Sequence, residues 1–282
     1  MTTLALPAPS LAEGRFASLT VFTDEALFDQ TGIRIAFTTR NGGVSTQPYA
    51  SLNLGDHVND DSDCVAENRR RVVSALAEAK YPLVVPHQVH KDTIVEIASN
   101  TPEAVAQAQE EAQRGADALM LTTTKVAALL CYADCVPVIL VGPDCQVAVV
   151  HAGWRGVDNG ICVKAAKQMA AQSRAASALD EGTYLASMNA YLGPYIHEEC
   201  FETSEDLACQ FEQKFGPTCR FDNRHVNLGN ALRSQLTHEG ISLDRIADLD
   251  MCTVCNTDLF FSYRAEQGVT GRHGAFAIRT SY

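Results

Sequence analysis

The chain has 282 residues, of which 46% are hydrophobic and 20% charged, a composition typical of a globular protein with a sizeable core. Its formal net charge of -12 would repel a polyanion on average, which argues against a nucleic-acid partner. Its ten cysteines are too few for a disulfide scaffold. With no secretory leader and no membrane-spanning run of about 18 apolar residues, they indicate free thiols in the cytoplasm.

Strands and helices are mixed along the chain after a flexible N-terminal tail. The tail is predicted over residues 1–14, which hold two prolines and many small residues. The patterns predict strands over 33–39, 93–98, 116–122, 126–132, 136–142 and 146–152, and helices over 64–79, 102–113, 156–172, 204–215 and 228–240. No repeat or linker divides the rest, so we predict one α/β domain over residues 15–282.

The two apolar strands that flank "GPDC" (142–145) predict a β-hairpin, because Gly-Pro-Asp favours a turn. A hairpin centred there places Cys135 opposite His151 or Ala152. Directly opposed Cβ atoms lie about 4.5–5.5 Å apart, close enough for both side chains to bind one zinc ion. The same pair would suit the thiolate and imidazolium of a cysteine hydrolase, or a buried thiol beside a hydrogen-bonded histidine.

A third metal ligand is available in "PHQVHKD" (86–92), which contains His87 and His90. In an extended chain, residues three apart point to opposite faces, so only one of the two can join Cys135 and His151 without a bend. Three protein ligands with an open fourth position are typical of catalytic zinc.

The segment after His151 is a candidate anion site. Glycines follow at 153 and 156, and a helix is predicted to begin there. Exposed N–H groups at the start of a helix, with Arg155 beside them, bind anions such as phosphate. Many strand-to-helix turns contain glycine, so this pattern gains weight only together with the other motifs.

Ten short motifs occur in an order that resembles one known family. They are "FTTRNGGVS" (37–45), "SLNLGDHVNDD" (51–61), "QVH" (88–90), "ADAL" (116–119), "ADCVPV" (133–138), "HAGWRG" (151–156), "GPYIHEECFE" (193–202), "CTVC" (252–255), "FFSYR" (260–264) and "TGR" (270–272). Together they resemble the laccase-domain proteins, once described as multicopper polyphenol oxidases. Members have since been described as purine nucleoside phosphorylases with adenosine deaminase activity, or as peptidoglycan editing factors. The resemblance implies one α/β domain with mixed β-sheets layered between helices as α/β/β/α.

The resemblance also implies a zinc site that activates water or polarises the substrate. Its ligands would be His90, Cys135 and His151, and the catalytic residues would be Cys135, His151 and Arg155. Phosphorolysis needs positive charge for phosphate, and the arginines of the motifs can supply it. The predicted substrate- and phosphate-binding residues are Arg40, Asn41, Asp117, Arg264 and Arg272. Asn41 and Asp117 would either hydrogen-bond the nucleoside or hold turns.

A polyphenol oxidase is disfavoured by the histidine content. A mononuclear copper and a trinuclear cluster need more histidine ligands than the eight scattered ones in this chain. Copper would occupy the three-ligand site only adventitiously, through its higher raw affinity. The resemblance then implies a zinc-dependent enzyme that phosphorolyses adenosine, inosine, guanosine or methylthioadenosine and deaminates adenosine. Its partners would be a nucleoside and phosphate, with neither nucleic acid nor membrane.

Two alternatives stay open. One is a cysteine amide hydrolase that edits cell-wall precursors, with Cys135 as nucleophile and His151 as base. The other is a metal-binding module without catalysis. Eight of the nine other cysteines are interpreted structurally: Cys252 and Cys255 as a lone CxxC pair, and Cys131, Cys145, Cys162, Cys200, Cys209 and Cys219 as core or incidental thiols.

Overall fold

A computed structural model describes residues 5–77, 80–176 and 179–280. The strands within these ranges are β1 (Ala12–Phe16), β2 (Leu19–Thr23), β3 (Ile33–Thr38), β4 (Leu83–Val84), β5 (Ile94–Ile97), β6 (Ala118–Leu121), β7 (Ala127–Tyr132), β8 (Val136–Val141), β9 (Val147–Ala152), β10 (Asn189–Leu192), β11 (Ile246–Asp248) and β12 (His273–Arg279). The α-helices are α1 (Glu25–Thr31), α2 (Ser62–Ala77), α3 (Pro102–Gln113), α4 (Trp154–Asn159), α5 (Ile161–Ala176), α6 (Glu181–Ala186), α7 (Glu205–Phe215) and α8 (Leu228–His238). No helix among the described residues is long and apolar enough to cross a membrane.

The strands form two six-stranded mixed sheets. The first has the order β1-β2-β3-β12-β7-β4, and the second has the order β11-β10-β8-β9-β6-β5. Most neighbours are antiparallel, whereas β4–β7, β5–β6 and β10–β11 are parallel. The second sheet contains the β8–β9 hairpin, so it positions the residues around Cys135 and His151.

The sheets pack face to face between helices. Ile35 of the first sheet and Val149 of the second belong to the apolar cluster between them. Helix α2 covers the outer face of the first sheet, and helix α5 covers that of the second. Strands buried on both faces read as continuous apolar runs, which explains the sequence pattern. The predicted α/β/β/α layering is confirmed.

Local signals decide where several helices begin and end. Helix α3 has the predicted bounds, because Thr101 accepts a hydrogen bond from the Ala104 N–H and Pro102 occupies the first turn. The single helix predicted over 156–172 is wrong. It is divided into α4 and α5 because Gly160 adopts a left-handed conformation with φ 73°. The helix predicted over 64–79 corresponds to α2, and residues 78–79 lie outside the described ranges.

The predicted hairpin exists, but its register differs by one residue from the predicted pairing with Ala152 and by two from that with His151. Val136, rather than Cys135, pairs with Ala152. The cause lies in the turn, where Cys145 is left-handed with φ 65° and the Gly142 N–H donates to the Gln146 carbonyl at 2.9 Å. The loop therefore spans residues 143–145, which shifts every pair relative to a tighter turn.

The described part of the N-terminal segment packs against the rest of the protein. Residues 12–14 belong to β1 and pair with β2. Leu6 is buried, and the Arg245 guanidinium donates to the Leu6 and Pro7 carbonyls at 2.9 and 3.1 Å. This differs from the flexible tail predicted over residues 1–14, of which 1–4 lie outside the described ranges. The single domain over residues 15–282 stays a prediction.

Candidate metal centre

Three predicted ligands meet at one edge of the second sheet. One ligand atom each of His90, Cys135 and His151 lies within 4.8 Å of the other two. His90 precedes β5, Cys135 directly precedes β8, and His151 lies near the end of β9. His151 is buried, Cys135 is half-buried and His90 is exposed, so this histidine cluster is accessible from one side.

The corrected hairpin register explains how Cys135 reaches His151. Pro137 pairs with His151, and Cys135 lies two residues before Pro137. Residues two apart on a strand share a face, so the thiol and the imidazole are diagonal neighbours rather than a direct pair. Opposite Cys135 lies Gly153, where a Cβ atom would come within 2.9 Å of the Cys135 Sγ. The glycine leaves the space that the thiol occupies.

Asp117 holds two of the three ligands in place. Its carboxylate lies 2.8 Å from the His151 Nδ1. It also accepts the backbone N–H groups of Val89, His90 and Lys91 at 3.3, 2.9 and 2.8 Å. Asp117 is fully buried and its oxygens contact the two histidine segments, which agrees with the alternative that it holds a turn, while its binding of substrate stays a prediction. A carboxylate behind a metal-ligating histidine fixes the tautomer and ring orientation.

The electrostatics favour an ionised Cys135. Burial opposes loss of the thiol proton, but His151 and His90 outweigh it and lower the pKa of Cys135 to about 6. Burial also disfavours the charged form of His151, whereas Cys135 and Asp117 raise its pKa to about 9. The thiolate is the form that binds metal or acts as a nucleophile, so both chemistries are accessible to this cluster.

A cavity of about 440 Å³ opens beside the histidine cluster. This volume falls within the range of small-molecule sites. Phe201 and Tyr263 contribute aromatic rings to its wall, and His57, Arg264 and Arg272 contribute nitrogen donors. The cavity therefore joins the three-ligand cluster to stacking surfaces and to positive charge.

Two of the predicted phosphate-binding arginines line this cavity. The Arg264 guanidinium donates to the carbonyls of Cys200 and Glu202 at 2.9 and 3.1 Å, and its backbone N–H donates to the Asp134 carboxylate at 2.7 Å. Arg272 donates to the Thr270 and Gly271 carbonyls at 3.0 and 2.9 Å. Both side chains are thus fixed at the cavity wall by backbone groups.

Arg40 and Asn41 lie elsewhere. The Arg40 guanidinium donates to the Ala50 and Thr257 carbonyls at 3.1 and 2.8 Å and forms an ion pair with Glu266 at 3.1 Å. The Asn41 side chain donates to the Asp258 carbonyl at 3.1 Å. Both line a separate surface cavity. These contacts join loops, which agrees with the turn-holding alternative for Asn41, and the binding of substrate by either residue stays a prediction.

Arg155 is also outside the cavity. It is exposed, and its guanidinium lies 4.2 Å from the centroid of the Trp154 ring. It is not among the described residues that line the cavity beside the histidine cluster. The proposed catalytic role of Arg155 therefore finds no support in its position.

Several cavity residues escaped the sequence analysis. Gln88 exchanges two hydrogen bonds of 2.8 Å with the backbone of Cys131, which fixes the strand beside the site. His57, Phe201 and Tyr263 lie in recognised motifs, but no spacing argument directed them to one cavity. His87 is exposed and outside the histidine cluster, but His90 has φ 58°, so this segment is not the extended chain that the opposite-face argument assumed.

Comparisons with known proteins cover nearly the whole chain. A family model described as multi-copper polyphenol oxidoreductase laccase matches residues 34–280. A purine nucleoside phosphorylase of Corynebacterium glutamicum is 36% identical over 244 residues, which is 85% of this chain and 92% of that protein. The purine nucleoside phosphorylase YlmD of Geobacillus stearothermophilus is 33% identical over 256 residues, covering 88% and 90%. The crystal structure of YlmD from that organism superposes with a TM-score of 0.79 at 30% identity, over 97% of this chain and 100% of that one.

Proposed function

The chain belongs to the multi-copper polyphenol oxidoreductase laccase family, and we propose that it is a zinc-dependent purine nucleoside phosphorylase that also deaminates adenosine. The observation that carries this proposal is the histidine cluster on the wall of a cavity with aromatic rings and arginines. The similarity to proteins named purine nucleoside phosphorylase supports it. Adenosine, inosine, guanosine and methylthioadenosine are the proposed substrates.

The donor set fits a zinc ion. Two imidazole nitrogens and one thiolate are ligands that zinc prefers. A tetrahedral zinc with bonds of about 2.0–2.3 Å needs neighbouring donors about 3.3–3.6 Å apart. The donors of the histidine cluster all lie within 4.8 Å of one another, so small side-chain adjustments achieve that spacing. Zinc bound there would supply Lewis acidity at an open coordination position.

Asp117 would hold the histidine ligands in position and keep the His151 proton on Nδ1. Asp117 contacts the His151 Nδ1, which leaves Nε2 for the metal side of the ring. The three backbone N–H groups bound by Asp117 orient the His90 loop. These contacts favour one arrangement of the ligand set before substrate arrives.

Phosphate and base would occupy different parts of the cavity wall. Arg264 and Arg272 supply the positive charge that an anion needs in a chain of net charge -12. Phe201 and Tyr263 offer ring faces on which a purine can stack. With arginines for phosphate and aromatic rings for the purine, the cavity would bind one nucleoside and one inorganic phosphate together.

A second candidate function is favoured by one observation. Cys135, His151 and Asp117 also form a thiol–imidazole–carboxylate series, the arrangement of a cysteine amide hydrolase. In that reaction the Cys135 sulfur would attack an amide carbonyl of a cell-wall precursor, and the His151 proton would pass to the leaving amine. Zinc at the histidine cluster would engage the thiolate and prevent this attack.

The two functions are separated by one set of assays. Zinc-loaded protein is incubated with each of the four nucleosides, with and without inorganic phosphate, and the products are separated by chromatography. We expect release of the free base only with phosphate, and inosine from adenosine without it. Iodoacetamide should label Cys135 slowly under saturating zinc. No turnover of any nucleoside, together with rapid alkylation of Cys135 in zinc, would reject the phosphorylase in favour of the hydrolase.

Location and partners follow from the same proposal. Nucleoside and phosphate are small molecules, and the net charge of -12 supports independence from nucleic acids. The cytoplasmic location and the independence from membranes remain predictions from composition.

A further inference from the structure

A second group of metal-ligating side chains lies outside the cavity. Glu199, Cys200, Cys252 and Cys255 each bring one ligand atom to within 4.8 Å of the others. None of these four is among the described residues that line the cavity beside the histidine cluster. We refer to these four residues as the thiol cluster.

Backbone pairing brings these distant residues together. Tyr195 forms a parallel bridge with Cys252, and the Thr253 N–H donates to the Tyr195 carbonyl at 3.0 Å. The segment that carries Glu199 and Cys200 therefore runs beside the CxxC segment. Cys200, interpreted from the sequence as an incidental thiol, becomes a third sulfur next to that pair.

We propose that the thiol cluster binds a second zinc ion, with three thiolates and the Glu199 carboxylate as its ligands. The Sγ atoms of Cys200 and Cys255 are 3.7 Å apart. A tetrahedral zinc with Zn–S bonds of about 2.3 Å holds two sulfurs about 3.75 Å apart. The Cys255 Sγ lies 3.9 Å from the Glu199 Oε1, close to the spacing of a sulfur and an oxygen on one zinc ion.

Four protein donors close the coordination of zinc, so this ion has a structural role. Neighbouring backbone groups support the thiolates and the turn. The His197 N–H donates to the Cys252 Sγ at 3.5 Å. The Asn256 N–H and side chain donate to the Cys252 carbonyl at 3.1 and 2.8 Å, which shapes the CxxC turn. Such outer contacts orient metal ligands and tune their basicity.

The ion would fasten one wall of the cavity. Ile196 and Phe201 lie on either side of Glu199 and Cys200 in the chain, and both line the cavity. The Cys200 carbonyl accepts a hydrogen bond from the Arg264 guanidinium. Zinc in the thiol cluster would therefore hold the wall on which Arg264 is placed, and any effect on phosphate binding rests on the proposed function above.

Metal content tests the site independently of activity. Full-length protein is saturated with zinc, exchanged into metal-free buffer and measured by plasma emission. We expect two zinc ions per chain, and one in Cys255→Ser and in Glu199→Gln. Both substituted side chains are exposed, so the core packing stays unchanged. Cys64→Ser removes a thiol outside both clusters and should retain two ions.

Cobalt substitution identifies which site each variant has lost. Three thiolates should give a sulfur-to-cobalt charge-transfer band about three times as intense as that of one thiolate. We therefore expect Cys255→Ser to lose most of the band and Cys135→Ser to lose the smaller part. One zinc per wild-type chain that persists in Cys255→Ser, or a Cys200–Cys255 disulfide in protein purified anaerobically, would overturn the proposal. A failed nucleoside assay with two zinc ions still bound would count against the phosphorylase alone.

Discussion

The histidine cluster and the thiol cluster differ in how the fold builds them. The first lies where β8 begins and β9 ends, and a buried carboxylate braces it. The second joins two loop segments near the surface, which are connected by the backbone bridge between Tyr195 and Cys252 and by the hydrogen bond from His197 to Cys252. The first supplies three donors beside a cavity, whereas the second supplies four. Strand ends with a free ligand position suit chemistry, and loops joined by a full ligand set suit structural support.

The largest effect should come from removing a ligand of the histidine cluster. If the proposed site is correct, Cys135→Ser or His151→Ala is expected to lose one zinc ion and to reduce nucleoside turnover roughly 100-fold or more, because each side chain would supply a direct bond to the metal. Plasma emission and steady-state kinetics measure the two changes. His87→Ala is the control, since this exposed histidine lies outside the cluster. Full zinc content in Cys135→Ser would show that the ligand assignment is wrong.

Substitution of Asp117, which positions the histidine ligands, should have a smaller effect than substitution of a ligand itself. Asp117→Asn keeps the shape of the side chain but removes the charge that faces His151 and the backbone N–H groups. We expect zinc affinity at this cluster to fall about 10–100-fold, measured by competition with a chelator. Asp92→Asn changes a carboxylate that pairs with Lys164 and should leave the affinity unaltered. An equal loss of zinc affinity in the two variants would contradict the proposal that Asp117 positions the ligands.

The cavity arginines should affect phosphate more than the nucleoside. Arg264→Gln removes a cavity charge and is expected to raise KM for phosphate about tenfold, the loss of one charge-assisted hydrogen bond. The matched control is Arg155→Ala, on the exposed side chain stacked over Trp154. Kinetics at varied phosphate compare the two. A similar rise of KM for phosphate in Arg155→Ala would instead indicate that the anion binds at the start of α4.

The buried His273 should give the smallest effect. Burial, with the charges of Arg272 and Arg40, lowers the pKa of His273 to about 3. A lowered folded-state pKa means that its stability contribution is complete above pH 6.5 and is lost as the pH falls from there through 3. Between pH 7 and pH 6, we expect the free energy of unfolding to fall about 0.7 kcal/mol more in the wild type than in His273→Phe. Urea denaturation at both pH values measures this, and an equal loss in both proteins would contradict it.

The layered fold and the histidine cluster were predictable because their signals are local or lie in recognised motifs. Two apolar runs around Gly-Pro-Asp fix the hairpin, which brings Cys135 near His151 in either register. The error of one residue arose at Cys145, because the sequence does not reveal that a non-glycine residue adopts φ 65° there. The break at Gly160 was missed because a glycine within a helical pattern is often tolerated.

The thiol cluster and the cavity wall depend on contacts between distant parts of the chain. Cys200 and Cys255 are separated by 55 positions, and the bridge between Tyr195 and Cys252 helps to bring them together. Arg40 and Arg264 both lie in motifs, yet only the folded chain shows that the first joins loops and the second faces the cavity. A motif indicates that a residue matters without showing which group it contacts.

The contacts of Asp117 have a consequence for metal uptake. One carboxylate joins the His90 loop to the His151 strand through contacts between protein groups alone. The conformational entropy cost of positioning these ligands is therefore part of folding. Metal binding then needs little further ordering of the chain. Zinc should then stabilise the protein by mass action, about 2.7 kcal/mol at a free concentration 100 times Kd. Chelation should leave a folded, inactive protein that recovers when zinc returns, unlike a zinc finger that unfolds without its ion.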